Sequence, residues 1–170
     1  MSKDILAEFL AHSMELESEA RERYLELAQA MRAHNNVEVA EFFGRMAEES
    51  RLHLSEVEEI ARAYKLPELK PWEFVWPEEE PPETTSYEAV HYRMNLQEAM
   101  LLALDNERAA EKFYAAYAES SVCAETKRFA AQFAAEEASH GAQLVAKLGA
   151  LSQRGAVHHR EEDDAPHMPE

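Results

Sequence analysis

Glu17-Ser18-Glu19-Ala20-Arg21-Glu22-Arg23-Tyr24 is written again ninety residues later as Glu107-Arg108-Ala109-Ala110-Glu111-Lys112-Phe113-Tyr114. In each copy a glutamate is followed by alanine three residues on and tyrosine seven residues on, so the three side chains share one face of a helix. On the first copy's helix, Leu6, Leu10, Met14, Tyr24, Ala28 and Met31 fall on the Glu17 side. Glu8, Glu15, Glu19, Glu22 and Glu26 fall near the other. Leu96, Met100, Leu104, Tyr114 and Ala118 accompany Glu107 in the same way. Glu17 and Glu107 are therefore carboxylates on apolar stripes, an expensive placement unless something pairs with them.

Downstream of each copy stands a histidine with acid one turn behind it, Glu49 before His53 and Glu136 with Glu137 before His140. Val39, Phe42, Met46, Val57, Ile60 and Tyr64 line the face of His53, and Phe129, Phe133, Leu144 and Leu151 that of His140. A second register, offset by 87, aligns Phe42/Phe129, Ala47/Ala134, Glu49/Glu136 and His53/His140. A duplicated helical hairpin is the simplest account, and it brings equivalent side chains together about a twofold axis.

Breakers mark the connections. A first helix is expected from about Lys3 to Ala33. Asn35, with Glu38 three residues on, reads as the cap of a second helix running to about Tyr64. Residues 65–84 hold five prolines and two tryptophans and cannot be helical throughout. Thr85 with Glu88 reads as the start of a third helix to about Glu119, and Ser121 as the cap of a fourth ending near Gly149. Short, long, short connections predict an all-α four-helix bundle over residues 1–150, two antiparallel hairpins joined by a long crossover. Residues 151–170, acidic and with His158, His159 and His167, are expected to be disordered.

A net charge of −17, from 34 acidic and 17 basic residues, argues against nucleic acid and anionic membranes as partners. The single cysteine, Cys123, excludes an internal disulfide or a four-cysteine iron site within these residues. No signal peptide or membrane-spanning run is evident, so a cytoplasmic protein is expected.

Two inward glutamates and two inward histidines in matching halves suit either a buried hydrogen-bonded network or a metal site, and the matching favours metal. Glu-x-x-His puts two donors one turn apart on a single helix, where both can grip one ion. Mixed imidazole and carboxylate donors suit iron or manganese, with zinc as a substitute. Tyr24 and Tyr114 could hydrogen-bond a ligand or serve as large core residues.

Over residues 3–150 these features resemble the rubrerythrin family of the ferritin-like superfamily. The resemblance implies a ferritin-like bundle with two iron ions held by Glu17, His53, Glu107, Glu137 and His140. It further implies reaction with peroxide or dioxygen, or oxidation of Fe(II). Iron storage without turnover, or a structural bundle whose site has degraded, are the alternatives. Where the family carries glutamate on helix two, this chain has Ser50. Either Glu49 substitutes, reaching the same ion as His53, or the site is weakened. Ala110 stands where some members have a further inward glutamate. Full rubrerythrins also carry a four-cysteine rubredoxin-like domain. With one cysteine, this chain would draw electrons from a separate donor. Trp72, Phe74 and Trp76 in the crossover either fold onto the bundle or build a homodimer, which is the expected assembly.

Overall fold

In a computed structural model, residues 2–70, 73–74 and 91–163 are described, with side chains among these from Asp4 to Arg154. The described residues form four helices and no strand. They are α1 (Ser2–Ala33), α2 (Val37–Ala61), α3 (Leu96–Ser120) and α4 (Ala124–Asp163). Each packs mainly along its hairpin partner, α1 with α2 and α3 with α4. The two hairpins close on one another as the short–long–short connection pattern predicts. None of the helices is long and apolar enough to cross a membrane, among the described residues.

The turn between α1 and α2 shows why its boundary shifts by one residue from the sequence expectation. Asn35 is not the cap of α2; its φ of 61° puts it in the left-handed region. Its amide donates to Arg32 O (3.1 Å), while that of Asn36 reaches back to Met31 O (2.8 Å). This paired closure ends α1, and asparagine is one of the few side chains that tolerates the conformation. Asn36 precedes α2, but its side chain makes no cap bond to the helix. Instead Nδ2 donates to Tyr92 O (3.3 Å) and Met94 O (2.8 Å), tying the hairpin turn to the chain just ahead of α3.

Four further boundaries are corrected. α3 starts at Leu96, behind a complete capping box formed by Asn95 and Glu98, so Thr85 does not begin it; residues 85–90 lie outside the described residues. Ser121 closes α3 rather than capping α4, and its Oγ accepts from the Cys123 amide (3.2 Å). α2 stops at Ala61, three residues before Tyr64. Finally, α4 runs through Gly149 to Asp163, so the expectation of disorder from residue 151 does not hold as far as Asp163. No described glycine has a positive φ, which leaves Gly149 without the left-handed turn that would end the helix. Residues 164–170, with His167, and the side chains of His158 and His159 lie outside the description, as do Trp72 and Trp76. Phe74 meets the buried His12 ring edge-on at 5.0 Å, so that part of the crossover folds onto α1.

The core comes in two parts. One cluster gathers Tyr24, Met31, Phe42, Phe43, Met46, Met100 and Leu104. The other gathers Leu6, Phe9, Leu10, Leu16, Val57, Phe113, Tyr114 and Phe133. Burying each such side chain contributes about 1.5–3 kcal/mol, enough for two apolar plugs to hold a polar layer between them.

Candidate metal centre

That layer takes a side chain from every helix. Glu17 comes from α1, His53 from α2, Glu107 from α3 and Glu137 from α4, and all four are at most 4% exposed. Helical spacing delivers them to the same level because each lies on the apolar stripe of its own helix. The five acids expected on the outer side of α1 divide. Glu8, Glu22 and Glu26 are exposed, whereas Glu15 and Glu19 are half-buried.

His53 Nδ1 lies 2.8 Å from Glu17 Oε1 and 2.9 Å from Glu137 Oε1. His140 Nδ1 lies 3.7 Å from both Glu107 Oε2 and Glu137 Oε2. Despite these short separations, both ring nitrogens of His53, Glu107 Oε2 and Glu137 Oε2 are enclosed without a hydrogen-bond partner among the described residues. Nδ1 of His53 faces two carboxylates at once and is in line with neither. Buried polar atoms that converge without pairing fit a common cation better than a closed network.

Two donor groups emerge, each with donor atoms within 4.8 Å of one another: Glu17, His53 and Glu137, and Glu49, Glu107 and His140. Each combines a glutamate and a histidine from one hairpin with a glutamate from the other. Glu49 therefore stands with His140 across the bundle and not with His53 on its own helix, as the sequence had suggested. A carboxylate four residues before its histidine points sideways, toward the opposing helix. Ser50 is buried. Glu111, near the edge of the α3 stripe, is half-buried.

Electrostatically, the ion-free layer holds protons. Burial raises Glu17 above the usual carboxylate range, against the opposing pull of His53. Burial, reinforced by Glu137, pushes Glu107 up to about 9. Glu137 moves the other way; burial opposes ionisation, but Glu107, His140 and His53 hold it well below the usual range. Burial disfavours charge on His53, yet Glu137 and Glu17 outweigh it and raise the ring to about 11. His140 rises to about 10 through Glu107 and Glu137. Glu17, Glu107, His53 and His140 are the groups whose protons a metal ion would displace.

The two tyrosines part company. Tyr114 OH donates to Glu17 Oε1 at 3.0 Å. Tyr24 OH instead accepts from Asn106 Nδ2 at 3.2 Å. Asn106 was not singled out from the sequence, although the repeat carries a signal for it. The equivalent residue of the first copy is Leu16, and a polar residue replacing a buried leucine marks a changed environment.

The rubrerythrin family model matches residues 8–148. An uncharacterised conserved protein from Magnetospirillum magnetotacticum MS-1, known from a crystal structure at 2.00 Å, is 44% identical to this chain. The match covers 85% of this chain and 93% of that one, with a TM-score of 0.66. Comparison with curated proteins gives no match. A ferritin-like arrangement of two hairpins, with carboxylates and histidines able to hold metal at its centre, now stands beside that family match. The chain belongs to the rubrerythrin family.

Proposed function

We propose that the chain is a di-iron protein that reacts with peroxide or dioxygen, or oxidises Fe(II). The observation carrying this reading is the pair of cross-hairpin donor groups, in which His53 Nδ1, Glu107 Oε2 and Glu137 Oε2 are buried without hydrogen-bond partners among the described residues. Glu17, His53 and Glu137 would hold one ion, and Glu107, His140 and Glu49 the other. Glu137 turns its two oxygens toward the two histidines and would be available to either ion. Iron bound there would supply electrons one or two at a time to a small oxidant.

The chain's own residues divide the remaining work. Phe133 meets the His53 ring edge-on at 5.2 Å and, with Tyr114, helps to exclude water from the Glu17 side. Tyr114 orients Glu17 through its 3.0 Å hydrogen bond. His140, with its side chain 27% exposed, and the half-buried Glu49 leave the other side within reach of solvent. A small oxidant would therefore approach the Glu107 side.

Protein loaded with Fe(II) without oxygen should contain two ions per chain. Adding peroxide should oxidise both to Fe(III), followed by the change in near-ultraviolet absorption. No metal uptake, and no thermal shift with Fe(II), Mn(II) or Zn(II), would reduce the chain to a structural bundle. Two ions with no change on adding peroxide or oxygen would leave a metal-binding or storage protein.

A further inference from the structure

His53 has a second face. Its Nε2 points away from the central layer and lies 3.2 Å from Glu136 Oε2. The residue is only 4% exposed, and Nε2 is enclosed with no aligned hydrogen-bond partner among the described residues. Next to Glu136 stands Glu56, and the donor atoms of His53, Glu56 and Glu136 all fall within 4.8 Å of one another. Gln132 Nε2 donates to both carboxylates, at 3.0 Å to Glu56 and 3.3 Å to Glu136. An amide can fix the two side chains in place but cannot neutralise them. Two carboxylates so close call for a proton or a cation between them.

We propose that Glu56, Glu136 and Nε2 of His53 form an outer position for a divalent metal ion, on the flank between α2 and α4, from which ions pass to the buried donor groups. The passage rests on the di-iron reading; the outer position itself does not. Exposure falls from 32% for the Glu136 side chain to 3% for that of His53, so the ion would shed water stepwise along this line. A neutral imidazole offers one lone pair. His53 therefore serves an outer ion through Nε2 or an inner ion through Nδ1, one at a time. Once the inner position is filled, the Nε2 proton faces Glu136, a carboxylate behind a ligating ring.

The repeat shows that this position is not a general consequence of the fold. In the other half, the residue equivalent to Glu136 is Glu49, but Gln132 is replaced by Arg45 and Glu56 by Gln143. That flank has gained a cation and lost a carboxylate, which is unsuited to a second outer site.

The test uses the full chain and separates the two ideas. With the central layer disabled by Glu17→Gln and Glu107→Gln, titration with Mn(II) or Zn(II) should still show one bound ion. Adding Glu56→Gln and Glu136→Gln should abolish it. In an otherwise unaltered chain, Glu56→Gln should retain two central ions but fill them about tenfold more slowly in stopped-flow mixing with Fe(II), by loss of local attraction. No ion in the layer-disabled chain, or unchanged filling by the Glu56→Gln variant, would overturn the proposal. If the unaltered chain fails to hold two central ions while the layer-disabled chain still binds one, the di-iron reading falls and the outer position stands.

Discussion

Glu17 and Glu107 hold equivalent places in a repeated hairpin, but their surroundings have diverged. Around Glu17, His53 stands at 2.8 Å and Tyr114 at 3.0 Å, in a pocket closed by Phe133. Around Glu107, His140 stands off at 3.7 Å and is partly exposed, and the nearby Asn106 holds Tyr24. Helix two carries Ser50 where helix four carries Glu137, so among the described residues a single fully buried carboxylate from these two helices faces both His53 and His140. The two halves repeat one pattern, and a few differences leave one half closed and the other open. On the di-iron reading, the Glu17 side would enclose its ion and the Glu107 side would meet the small oxidant.

The harshest test of this contrast removes the shared group. Glu137→Ala should lower bound metal from two ions to fewer than one and destabilise the ion-free protein by about 3–5 kcal/mol, since His53 and His140 lose a buried partner. Metal analysis with urea denaturation reads both effects; one full ion remaining would mean that Glu137 serves a single side. Glu49→Ala should remove one ion, from the Glu107 side, and change ion-free stability by less than about 1 kcal/mol because the residue is half-exposed. Unchanged stoichiometry would instead make Glu49 a carboxylate behind His140, as Glu136 is behind His53.

Asn106→Leu restores the residue of the first copy. The loss of its bond to Tyr24 in the interior should cost about 1–2 kcal/mol in urea denaturation while leaving two ions bound. If it removes the Glu107-side ion, Asn106 belongs to the metal site and not to its surroundings. The smallest effect is expected at the surface of α1, where burial, Glu15 and Glu22 push Glu19 up to about 7. A carboxyl raised on folding favours the folded state while protonated in it, so stability is lost as pH rises from about 4.5 through 7. Glu19→Gln should therefore raise the melting temperature slightly at pH 8 and leave it unchanged near pH 4. An equal gain at both would point to propensity rather than charge.

The bundle and the inward carboxylates could be read from the sequence because both rest on helical periodicity. Glu17 sits on a line from Leu6 to Met31, and that line survives folding whatever the neighbours do. Caps were less legible. Asn35, Thr85 and Ser121 each carry suitable chemistry, but Asn36, Asn95 and Cys123 stand next to the helices. Tertiary contacts decide among nearby candidates, as the bonds from Asn36 to Tyr92 and Met94 show. Least legible was the partner of each acid. Whether Glu49 joins His53 or His140 depends on how two helices are rotated against each other, which a helical wheel does not contain.

In the donor layer, each group draws two side chains from one hairpin and one from the other. Neither hairpin alone can complete either group, so bound ions would act as staples across the halves. A chain cut within the crossover should yield two fragments that reassemble more tightly when metal is present. The linker would then be a convenience of synthesis, and the ions the joint.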